Sequence, residues 1–95
     1  MIGVTAYCKV KPGHEEEFEA VARDMVDAVR ANEPGNVFYG LFKTERPGEY
    51  VFMERWADRD AVNAHGMAPH VQEIAPRFGP HNAAPPVITE YEMVE

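Results

Sequence analysis

Apolar and polar residues alternate along IGVTAYCKV at the start of the chain. Ile2, Val4, Ala6, Cys8 and Val10 fall on one face, and Gly3, Thr5, Tyr7 and Lys9 on the other, so this stretch predicts a strand that Pro12-Gly13 ends. The period then changes. Phe18, Val21, Ala22, Met25, Ala28 and Val29 mark the i, i+3, i+4, i+7 stripe of an amphipathic helix in HEEEFEAVARDMVDAVRANEPG. Glu15, Glu16 and Glu17 complement the positive end of its dipole and Arg30 lies near its close, while Asn32-Glu33-Pro34-Gly35 stops it.

Two apolar runs follow, NVFYGLFKT (36–44) and EYVFMERWA (49–57), with Arg46-Pro47-Gly48 between them. Pro-Gly suits the central positions of a type II turn, so the pair predicts a β-hairpin. Asp58 is placed to cap a short helix, DRDAVNAH. Pro69 is tolerated in the first turn of another, PHVQEIAPRF, which Pro76 limits or distorts. GPHNAAPP (79–86) has the composition of a loop, and VITEYEMVE is a last, β-branched strand.

The order β-α-β-β-α-β predicts a single α+β domain over 1–95, ferredoxin-like, with an antiparallel sheet. Its helices cover one sheet face only. Both hairpin strands are nevertheless apolar on both faces: Val37, Tyr39 and Leu41 against Phe38 and Phe42, and Tyr50, Phe52 and Trp56 against Val51 and Met53. An open apolar face of that size exceeds what monomers usually expose, which predicts a homodimer packed sheet against sheet. A 95-residue chain buries only roughly 60–65% of its unfolded surface, so association would also help it stand.

Composition narrows the partners. The net charge of −7 and the scattering of nine basic residues argue against nucleic acid and against an anionic membrane surface. No run approaches the ~20 apolar residues of a membrane span, and the first residues do not read as a signal peptide. Cys8 is the only cysteine, which excludes an intrachain disulfide and a cysteine zinc cluster. A cytoplasmic protein is expected.

Four histidines are present, two of them in AHGMAPH at His65 and His70. Five positions along one continuous helix turn the side chains about 140° apart, and Pro69 interrupts the helix, so a dedicated metal pair is disfavoured. Either histidine has the intrinsic chemistry of a general base. The simpler alternatives are a helix C-cap for His65 and a local turn bond for His70. Glu54 lies between Phe52 and Trp56 on one face of an otherwise apolar strand, while Arg55 points to the other face. A buried carboxylate there needs a partner, a proton or a cavity. Tyr39, Phe52, Trp56 and Phe78 would suit the walls of a pocket for a flat apolar ligand, or ordinary core.

KPGHEEEF, EPGNVFYGLF and FMERWADRDAVNAHGMAPH together resemble the antibiotic-biosynthesis monooxygenase family, nearly end to end from Ile2 to Val94. The most specific part is Glu54-x-Trp56 followed by His65, Pro69 and His70. The resemblance implies a dimeric α+β barrel that uses no metal or organic cofactor and oxidises small electron-rich aromatics, such as phenols, quinols or anthrones, with O2 as co-substrate. It puts His65 forward as base or proton shuttle, with His70 near it, Glu54 as the charged group, and Tyr39, Phe52, Trp56 and Phe78 as substrate contacts. Haem-degrading relatives use an Asn and a Trp where this chain has Ala6 and His65, so haem is not expected. Isomerases of a phosphorylated autoinducer resemble the H-x-x-x-P-H segment, but the chain offers no basic cluster for a phosphate. A ligand-binding dimer without activity is the remaining alternative.

Overall fold

A computed structural model describes all 95 residues. Its elements are β1 (Ile2–Lys9), α1 (Glu15–Asn32), β2 (Asn36–Lys43), β3 (Glu49–Trp56), α2 (Arg59–Met67), α3 (Pro69–Ile74), a 3-10 helix (Ala75–His81) and β4 (Val87–Glu92). The strands form one antiparallel sheet in the order β2-β3-β1-β4, which is the ferredoxin-like arrangement. No helix is long and apolar enough to cross a membrane.

The sequence pattern accounts for the core. The α1 stripe buries Phe18, Val21, Ala22, Met25 and Val29 against Tyr39, Tyr50, Phe52 and Trp56 of the hairpin and Val4, Cys8 and Val10 of the first strand region. Each large apolar side chain removed from water stabilises the fold by roughly 1.5–3 kcal/mol. The hairpin turn forms as expected, with Gly48 at φ +76, the left-handed conformation that a type II turn requires of that position.

Two local readings differ from the pattern. Val37 does not join Tyr39 and Leu41 on the covered face: pairing with β3 shifts between Asn36 and Phe38, and Val37 is left unpaired and exposed. The Asn36 amide donates to the carbonyls of Phe38 and Arg55 across this irregularity, holding it in place. The expected helix through Phe78 is α-helical only to Ile74 and continues as the 3-10 helix, which takes in Gly79, Pro80 and His81 from the expected loop. Pro76 and Pro80 each lack the amide that an α-helix would use, so the chain keeps turning without the full i→i−4 ladder.

The second sheet face carries Phe38, Phe42, Val51, Met53, Tyr7, Val87 and Tyr91 by register. Phe42, Met53, Val87 and Tyr91 are all exposed there, and every residue of β4 is exposed, including Ile88 on the helix side. The helices cover β2, β3 and part of β1, and leave β4 bare.

Candidate functional site

Three short pieces of chain position the polar cluster. Glu33 follows α1 directly, with extended backbone and its own N–H bonded to the carbonyl of Val29 at 3.0 Å. Gly35 then lets α2 come close: a Cβ at that position would stand 2.5 Å from Cβ of Ala61. Asp58 accepts the Ala61 N–H at 2.9 Å, the predicted N-cap, and starts α2 at the correct angle. Between α2 and α3, Ala68 is extended (φ −65, ψ 137), the conformation favoured before a proline.

That break brings the two histidines together. Nδ1 of His65 lies 3.0 Å from both carboxylate oxygens of Glu33, and Nε2 of His70 lies 2.6 Å from Oε2 of the same group. The angle expected for a continuous helix does not apply, because Ala68 reorients α3. The Glu33 side chain is 8% exposed and each imidazole 19%. His65 therefore spends its Nδ1 on Glu33, while its backbone carbonyl accepts the Ala68 N–H.

Behind His65 stands Trp56, ring centroids 4.6 Å apart, with Tyr39 at 5.6 Å. Trp56 is 1% exposed, and its indole N–H donates to Oε1 of Glu54 at 3.0 Å. The partner demanded by a buried Glu54 is thus its own neighbour on the same strand face. Burial pushes the Glu54 carboxyl above its ordinary range, opposed by the Trp56 bond and His65 and reinforced by Glu33. Burial, with the Glu54 and Glu33 carboxylates behind it, also pushes the Tyr39 hydroxyl up, so it stays protonated and can act only as a neutral group. Cys8 is pushed to about 11, chiefly by burial and secondarily by Glu54, and is no nucleophile at neutral pH.

An open cleft of about 760 Å3 borders this cluster, lined among others by Glu33, Pro34, Trp56, Ala61, Ala64 and His70. Asp60 and Glu73 make its rim acidic. Of the sequence-predicted residues, His65, His70, Glu54, Trp56 and Tyr39 come together. Phe52 and Phe78 pack at 6.0 Å on each other and on Phe18, and belong to the core behind the cluster. Tyr39 and Phe52 are buried, and Trp56 is the one predicted aromatic that lines the cleft. Glu33 was missed as a site residue; its signal was Glu-Pro-Gly at a helix end, read as a stop and as part of the family resemblance but not as a partner of the histidines. His14 and His81, distant in sequence, also meet, with Nδ1 atoms 3.1 Å apart. No group of three or more His, Cys, Asp or Glu side chains is arranged to hold a metal ion.

Comparison with known proteins places the fold and the family. Residues 1–77 match the family pattern "Antibiotic biosynthesis monooxygenase". The chain is 37% identical over 98 residues to the Bacillus subtilis (strain 168) protein named "Putative monooxygenase YcnE", covering all of both chains. It superposes with a TM-score of 0.95 on a crystal structure from Caulobacter crescentus CB15, a "putative antibiotic biosynthesis monooxygenase", at 38% identity over 99% of this chain and 90% of that one. A second solved "antibiotic biosynthesis monooxygenase" superposes at 0.90 with 28% identity over all of both chains. A sheet order, a helix layout and a full-length sequence match all point the same way: this chain is a member of the antibiotic biosynthesis monooxygenase family.

Proposed function

We propose that the chain is a cofactor-independent monooxygenase acting on a small electron-rich aromatic of the quinol, phenol or anthrone type. The observation that carries this reading is the His65–Glu33–His70 cluster beside the cleft that Trp56 lines. A carboxylate that holds an imidazole by one nitrogen leaves the other nitrogen free to take a proton, which is the geometry of general-base catalysis. His65 serves as base or proton shuttle, and His70, which lines the cleft, stands nearest the substrate. Pro34, Ala61 and Ala64 offer apolar contact in the cleft, Trp56 backs His65, Tyr39 packs on both of those rings, and Phe52 and Phe78 lie in the core behind. Glu54 fixes the indole and contributes the nearby negative charge.

The chemistry follows from the substrate. Taking the proton from an anthrone C–H, or from the O–H of a phenol or quinol, leaves an anion that can reduce O2 by one electron. The resulting radical and superoxide combine to form a C–O bond, giving a peroxide. The imidazolium returns its proton, and loss of water leaves one oxygen atom on carbon as a carbonyl. The substrate itself is the reductant, so the reaction needs neither a metal nor an organic cofactor.

A homodimer belongs to the same reading. A second copy laid on Phe38, Phe42, Met53 and Tyr91 would cover the open sheet face and shelter β4. Light scattering at micromolar concentration should give twice the chain mass, and a monomer would remove the dimer. For activity, an oxygen electrode with a panel of quinols and anthrones is the test. Wild type should consume O2 faster than spontaneous autoxidation, and His65→Ala should fall towards that background. Turnover undiminished in a folded His65→Ala variant would remove His65 as base, and turnover under strict anaerobiosis would favour isomerisation instead.

A further inference from the structure

Glu33 touches both histidines, and it touches different nitrogens. His65 presents Nδ1 at 3.0 Å, and His70 presents Nε2 at 2.6 Å. An ionised carboxylate has no hydrogen to donate, so each imidazole must place its N–H on the nitrogen that faces Glu33. We infer that Glu33 holds His65 and His70 in opposite neutral tautomers, His65 as Nδ1–H and His70 as Nε2–H, and is the positioning residue that decides which nitrogen each ring offers to a substrate. The nitrogens left free are Nε2 of His65 and Nδ1 of His70.

The surroundings leave little room for another arrangement. Glu33 is tied at the end of α1 by its N–H bond to Val29, and its side chain is nearly buried. His65 is backed by the Trp56 ring at 4.6 Å, and that ring is itself anchored on Glu54. His70 is carried on the first turn of α3, whose direction Ala68 and Pro69 set. Rotating either ring would break a bond to a carboxylate that water reaches poorly.

The inference rests on the monooxygenase reading only for its kinetic consequence; the tautomers are a property of the resting protein. Long-range 1H–15N correlation spectra of histidine-labelled protein at neutral pH read them without substrate. The expected result is an Nδ1–H pattern for His65, the form that free imidazole side chains disfavour, and an Nε2–H pattern for His70. Glu33→Leu removes both acceptor oxygens, so His65 should change to the commoner Nε2–H tautomer. O2 uptake should then fall by about 10²-fold, while Glu33→Asp restores the tautomers and part of the rate. Circular dichroism confirms that both variants fold. Nε2–H tautomers at both rings in the wild type, or tautomers unchanged in Glu33→Leu, would overturn the inference. Opposite tautomers in a protein that consumes no O2 would uphold it and overturn the monooxygenase reading alone.

Discussion

The four histidines of this chain meet in two pairs, and the pairs are built on different chemistry. His14 and His81 meet nitrogen to nitrogen at 3.1 Å, joining the residue before α1 to the last residue of the 3-10 helix. One proton lies between two equivalent acceptors, so either ring can be the donor and neither is assigned a tautomer. His65 and His70 instead meet through Glu33, which can only accept, and both rings are assigned. A direct pair clips two segments together; a pair divided by a carboxylate defines two basic nitrogens at the edge of a cleft. The difference separates a structural contact from a candidate catalytic one, even though the residue type is the same.

Removing Glu33 should break the comparison most severely. Glu33→Ala leaves two imidazoles without their acceptor in a nearly buried place, and we expect a loss of roughly 2–4 kcal/mol, read by urea denaturation. Next comes Gly35→Ala. Its new Cβ meets Ala61 Cβ at 2.5 Å and must push α2, with His65, away from Glu33. A loss of about 1–3 kcal/mol is expected, together with reduced turnover, and Ala61→Gly in the same chain should restore both. Failure of that double variant to recover would show that the close approach does not position the site.

Glu54 sharpens the comparison from the other side. Its carboxyl is raised from the ordinary 4.5 because burial disfavours the charge. The folded chain then holds a proton that the unfolded chain has released, so this group's contribution is full below 4.5 and is lost as pH rises through the raised folded value. Glu54→Gln, which keeps an oxygen for the Trp56 N–H, should flatten that fall and raise the melting temperature at neutral pH. If the charge serves the site, the same variant should be slower in turnover. The smallest effect is expected at the other pair. His14→Ala should cost about 1 kcal/mol or less and leave turnover unchanged, because a single partly exposed bond is lost.

Much of this architecture was legible in the chain. The α1 stripe, the Pro47-Gly48 turn and the Asp58 cap rest on local periodicity and local stereochemistry, which nearby residues determine. Val37 was misplaced because a strand irregularity is decided by pairing with β3 and by the Asn36 side chain, not by alternation. The distortion that Pro76 brings to the helix after Pro69 was legible, but the 3-10 continuation through Pro80 into the expected loop was not, because Pro76 and Pro80 redirect the turn type rather than end the turn. Glu54, Trp56, His65 and His70 stood out as polar or aromatic residues in conspicuous places. Glu33 did not, since it meets His65 and His70 across 32 and 37 residues of sequence. The 140° separation of the histidines held only for an unbroken helix, and the extended Ala68 removes that premise.

The central claim is that the protein places one atom of O2 on a carbon of an electron-rich aromatic substrate next to the Glu33-held histidines. Turnover of an anthrone or quinol under 18O2 tests it most directly. The account predicts product carrying one 18O atom per molecule, with the rate reduced to the autoxidation background in His65→Ala and no product under argon. Product formed without label, or formed equally well without oxygen, would contradict it.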